Sequence, residues 1–182
     1  MILLLAVAAA GIPSGIKKRK LRELISLAAS AFGCEAPDTG RLSFEESLEK
    51  FALFTKAEAG RCLRRPPAAE EVRRRLFEHG RRLGAGLRDE FRVRRDGDAL
   101  QLMRIAYRTM GIRMRTGEGS ELIITRCFFS RFYDGPTCRL ISALDEGIAA
   151  GISGGGALQF IERMTETGAR CKADFHFAED SR

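Results

Sequence analysis

Only two histidines occur in the chain, His79 and His176, and no two of its cysteines have C-x-x-C spacing. The first shortage leaves few side chains able to act as a base toward a nucleophile near neutral pH, and neither histidine stands convincingly beside a cysteine. The second removes the tight chelating pairs on which most structural zinc sites are built. A phosphate loop is also missing: the glycine cluster GISGGG at 151–156 lacks the Gly-Lys-Ser/Thr ending and follows a helical pattern instead of a strand. Neither internal repeats nor low-complexity runs are present, which argues against solenoids and against disorder. The single long apolar run, MILLLAVAAAGI at the start, is too short to span a bilayer. Its basic residues, KKRK at 17–20, come after the apolar part, the reverse of a secretory signal. The favoured expectation is a helix packed on the protein or at a contact between copies; contact of residues 1–20 with a membrane surface is the lesser alternative.

What is present fits a globular protein of the α+β class. A chain of 182 residues with 45% hydrophobic residues can bury a core without disulfide staples. Its five cysteines, Cys34, Cys62, Cys127, Cys138 and Cys171, form an odd set and are expected as thiols in a reducing, cytoplasmic setting. The net charge of +7 comes from arginine patches at 64–65, 73–75, 81–82 and 94–95. Those patches alternate with Glu70, Glu71, Glu78, Asp89 and Glu90, and no helix-turn-helix or aromatic-studded basic element accompanies them. Solvated helix faces are therefore expected, and no nucleic-acid partner.

Periodicity divides the chain at residue 111. Residues 14–32 repeat apolar side chains at helical spacing and stop at Gly33; Ser43 and Glu46 have the form of a capping box that opens a second helix, ended by Pro66 and Pro67. A charged third helix over 68–91 carries Gly80, Gly84 and Gly86, which predict a close neighbour or a break. A fourth, capped by Asp96, runs to about 110. From Gly111 the period becomes 2: a hairpin with its turn at TGEGS, then a helix over 136–152, then two strands over 157–165 and 170–177. The division expected is a helical region over 1–110 and an α+β module over 111–182, together one compact unit with a mainly antiparallel sheet.

Reactive side chains concentrate in 121–145 and the final hairpin. Cys127 ends a strand, while Cys138 and Asp145, seven apart, lie on one side of a helix. Strand alternation puts Glu162 on the face of Leu158 and Phe160, and Cys171 on the face of Ala173 and Phe175. The predicted pocket therefore holds Cys127, Cys138, Asp145, Glu162 and Cys171, with Phe129 and Tyr133 of the aromatic turn as further ligand contacts. Three cysteines and a carboxylate would form a sensible zinc set from Cys127, Cys138, Glu162 and Cys171, but their spacing does not specify one. The plainer alternatives are buried cysteines acting as small hydrophobes, Asp145 paired with Arg126, Arg131 or Arg139, and Glu162 paired with Arg163 or Arg170. Cys34 and Cys62 are expected to be packed thiols, and His79 a surface histidine. Gly147 and Gly151 are expected to let their helix lie close to the sheet.

The segment from Cys127 to the strand pair, with Cys127, Cys138, Asp145, Gly168 and Cys171, resembles the C-terminal half of the L-2-amino-thiazoline-4-carboxylic acid hydrolase-like family. The resemblance implies hydrolytic opening of a cyclic amidine-type ring, with Cys138 or Cys127 as nucleophile and Asp145 or Glu162 as acid/base. The final strand pair is also similar to the vinyl-reductase-type small-molecule-binding domain, whose pattern includes a glutamate and cysteines that can hold zinc. Glu162 and Cys171 match that pattern, and Thr165 stands where a further cysteine is often found. This second likeness implies a ligand-binding or sensor role without chemistry. Either way the expected partner is a small molecule, with self-association left open.

Overall fold

A computed structural model describes residues 12–166 and 168–178. Its described elements are five α-helices, four strands and a 3-10 turn at Phe129–Arg131: α1 (Ser14–Phe32), α2 (Phe44–Leu63), α3 (Pro66–Glu90), α4 (Asp96–Thr109), β1 (Arg113–Thr116), β2 (Glu121–Arg126), α5 (Gly135–Ser153), β3 (Ala157–Glu162) and β4 (Cys171–His176). The α+β expectation, a helical N-terminal region joined to a small antiparallel sheet, is met. The apolar run at the start lies outside the described residues. No described helix is long and apolar enough to cross a membrane.

Local chemistry explains most element ends. Gly33 closes α1 in a left-handed conformation at φ 72°, which costs glycine no steric clash. Ser43 and Glu46 make the predicted capping box: the Glu46 N–H donates to Ser43 Oγ (3.1 Å) and the Ser43 N–H donates to the Glu46 carboxylate (2.7 Å). Pro66 and Pro67 do more than end α2, because they occupy the first turn of α3, where a missing N–H leaves no bond unmade. Asp96 does not cap α4; Arg95 holds the cap position and Asp96 lies in the first turn, where its charge suits the helix dipole. Asp134 caps α5 by accepting from the Thr137 N–H at 2.8 Å.

The sheet order is β1-β2-β4-β3, all neighbours antiparallel. Cys171, Ala173 and Phe175 of β4 point inward as their alternation requires. On β3 a bulge shifts the pairing register between Phe160 and Glu162, while burial still alternates, with Leu158, Phe160 and Glu162 more enclosed than Ala157, Gln159 and Ile161. Ile161 is left 66% exposed.

The fold turns on α5. One of its sides packs with Leu21, Ile25, Phe51, Ala52 and Leu76 of the first three helices. Its other side, through Ala149 and Ile152, joins a second core made by α4 and the sheet, around Leu102, Leu122 and Phe175. Contact with α3 is backbone to backbone. A Cβ added at Gly147 would press into the Phe77 carbonyl, and one at Gly80 into the Leu144 carbonyl; Gly84 and Gly151 are equally closed. Gly147 and Gly151 thus serve α3 and not the sheet, which corrects the expectation from sequence. α3 itself stays unbroken, and Gly86 faces open space.

Candidate functional site

Four of the predicted residues converge where α5 passes the end of β2 and the start of β4. Asp145 lies in the middle of α5, Cys138 two turns before it, Cys127 just past β2, and Cys171 at the first position of β4. They are close enough to feel one another. Burial, and behind it the negative charge of Asp145, raises the pKa of Cys127, Cys138 and Cys171. Cys127 is pushed up to about 12. All three are neutral thiols at physiological pH, and none has an imidazole beside it. His79 is half-buried, with Nδ1 at 3.0 Å from the Leu27 carbonyl, which corrects its expected surface position. His176 is exposed at the end of β4.

Asp145 is mostly enclosed, with part of the residue still open to solvent. Burial pushes its carboxyl up to about 7; neighbouring Glu146 adds to the rise, and Arg163 opposes it. None of the expected arginines reaches it. Arg139 pairs instead with Glu166, and the Arg131 guanidinium lies over the rings of Phe128 and Phe132 at 5.6 and 5.4 Å. Among the described residues the Asp145 carboxyl makes neither an ion pair nor a side-chain hydrogen bond. Glu146 takes the nearby cations: Arg73 Nη2 stands 2.9 Å and Arg163 Nη2 4.0 Å from its carboxylate. Glu146 nevertheless has a raised pKa, because burial outweighs the two arginines.

Arg163 is the main residue that sequence reasoning missed at this site. It donates to Ser142 Oγ (3.0 Å) and lies 4.6 Å from the Phe160 ring, while its Nε is buried without a partner. Thr165 is the second. Its hydroxyl is near enough to favour the Cys138 thiolate, yet it makes no well-aligned hydrogen bond, and Oγ1 is buried and unpaired. Tyr107 of α4 completes the wall; burial first, then Asp145, holds its phenol well above its ordinary pKa. In the sequence Arg163 stands beside Glu162, but the carboxylate it approaches in the fold is Glu146 of α5.

The other predicted residues are placed differently. Glu162, beyond the bulge, adds to the charge felt by Cys171 but is not part of the group around Asp145. No cluster of three or more His, Cys, Asp or Glu among the described residues is arranged to hold a metal ion, so the set Cys127, Cys138, Glu162 and Cys171 is not assembled as zinc ligands. Phe129 stacks on Tyr133 at 5.5 Å and meets Phe51 edge-on at 6.0 Å. Tyr133 is buried, and its hydroxyl lies 2.5 Å from Thr55 Oγ1, which itself donates to the Phe51 carbonyl; both aromatics are thereby used by the core. Cys62 packs against the helical core as expected, but Cys34 is exposed. Two concavities of the described surface lie elsewhere, one between α4 and β1 and one beside 36–40.

The fold is of the α+β class, and it brings the thiols of Cys127, Cys138 and Cys171 within the influence of the Asp145 carboxyl. No family model, no curated protein and no solved structure matches the chain.

Proposed function

We propose that the protein binds a small nitrogen-containing ring, of the cyclic amidine or thiazoline type, at the Asp145 carboxyl, and that it acts as a binding or sensor protein. The observation that carries this reading is the Asp145 carboxyl, without an ion pair or side-chain hydrogen bond among the described residues and poised near neutrality, within the influence of Arg163, whose Nε is unpartnered. A carboxylate kept from its natural cations gains most from a ligand that brings its own N–H donors, and an amidine presents two in the geometry a carboxylate accepts. Raised thiol pKa values, with no base beside them, favour binding over attack by Cys138 or Cys127.

One observation favours a second reading, hydrolytic ring opening: a carboxyl titrating at about 7 suits a general acid or base. Calorimetry with 2-amino-2-thiazoline at pH 8 tests the first reading. Saturable binding that weakens about tenfold or more in D145N, without release of free thiol from the ring, is the expected result. Thiol release abolished by C138A or C127A would establish the hydrolase instead, and binding indifferent to D145N would remove Asp145 from either account.

A further inference from the structure

A groove of about 920 Å³ runs between α4 and the outer side of β1, with the first turns of α1 at its end. One stripe of α4, through Gly97, Leu100, Arg104 and Arg108, forms its wall at the spacing of a single helix face. Leu100, Ile112 and Met114 give it an apolar surface. Around that surface stand Lys17, Arg104, Arg108 and Arg113, and among the described residues no aspartate or glutamate lines it.

What sets these four cations apart is that they surround one apolar groove; the lack of a carboxylate partner they share with other described arginines, Arg82, Arg94 and Arg95 among them. Arg73, Arg74, Arg75 and Arg81 of α3 each have a carboxylate partner, as do Lys20, Arg139, Arg163 and Lys172. Lys17, Arg104, Arg108 and Arg113 have none among the described residues. Arg113 also lies opposite Arg126 in the β1–β2 register, a like-charge pair that destabilises a sheet unless something neutralises it. Positive charge on the outer strand discourages edge-to-edge pairing, and that accounts for Arg113. It does not account for Arg104 and Arg108, which belong to a helix.

We infer that this groove binds a free amphiphilic anion, a molecule with a phosphate or carboxylate group on an apolar body. The guanidinium groups of Arg104 and Arg108, one turn apart, hold the acidic group, and the apolar body lies along Leu100, Ile112 and Met114. The groove has the capacity of a small-molecule site, several times that needed by an inorganic anion. It is separate from the site proposed at Asp145, so the two assignments stand or fall independently.

The test is titration of the full chain with dodecyl phosphate and with dodecanoate, each below its critical micelle concentration. Expected is saturable one-to-one binding of both probes, weakened about tenfold or more in an R104Q/R108Q double variant whose melting temperature is unchanged. D145N binds them like the natural protein. Inorganic phosphate and dodecyltrimethylammonium bind at least about tenfold more weakly, since each supplies only half of the required chemistry. Equal binding of the cationic detergent, full affinity in R104Q/R108Q, or binding confined to phosphatidylglycerol vesicles with none to the monomeric probes would overturn the inference. The last result would assign the face to a membrane surface.

Discussion

Asp145 stands apart from the other carboxylates of the described residues by how far burial lifts its pKa, a rise that Arg163 opposes only in part. Folding raises its pKa from the ordinary aspartate value near 4 to about 7, so between those pH values the folded state holds a proton that the unfolded state has released. Stability from this group is complete below about pH 4 and is lost as pH rises through 7. D145N removes the titration without changing the shape. Its stability advantage over the natural protein is expected to grow by about 1–3 kcal/mol between pH 5 and pH 8, a range reduced for the solvent that still reaches the residue. Urea unfolding of both proteins at the two pH values measures it; a difference independent of pH would mean that Asp145 ionises normally. At this scale the sequence was partly legible. Helical spacing put Cys138 and Asp145 on one side of α5, and strand alternation turned Cys171 inward. Arg163 and Thr165 were not legible, because they follow a bulge whose register depends on the partner strand.

Among the elements, the α3–α5 crossing carries the sharpest expectation. Ala is a better helix former than Gly by about 1 kcal/mol, so a solvent-facing glycine in a helix should be improved by the change. At Gly147 the added methyl meets the Phe77 carbonyl, which cannot move without separating the two helices. G147A is therefore expected to destabilise by about 2–4 kcal/mol, whereas G86A, facing open space, should stabilise by up to about 1 kcal/mol. Thermal or urea unfolding of the two variants checks the pair, and equal signs would contradict the packing. Helix existence was legible from periodicity, and the α2 boundary from the Ser43–Glu46 box. The partner of the Gly147–Gly151 face was not, since small residues announce a close approach without naming the neighbour.

For the whole molecule, α5 makes two cores into one. The helical core reaches it through Leu140 and Leu144, the sheet core through Ala149 and Ile152, and Ile148 touches both. The change of period at residue 111 marks a change of element type and does not separate two independent hydrophobic centres. A single cooperative transition follows. The two tyrosines report on opposite sides, Tyr133 in the helical core and Tyr107 against the sheet, and the chain has no tryptophan to obscure them. Tyrosine fluorescence of Y107F and of Y133F should follow the same urea midpoint as each variant's own far-UV circular dichroism. Separate midpoints within either variant would show that the cores unfold independently.

The proposed function depends most directly on the state of one carboxyl. Side-chain ¹³C NMR of labelled aspartates, with the Asp145 signal assigned by its absence in D145N, gives that pKa without any ligand. The account predicts a midpoint of about 7, well apart from the other aspartates. A midpoint near 4 would mean that Asp145 is solvated or paired like an ordinary surface carboxylate, and it would contradict the central claim.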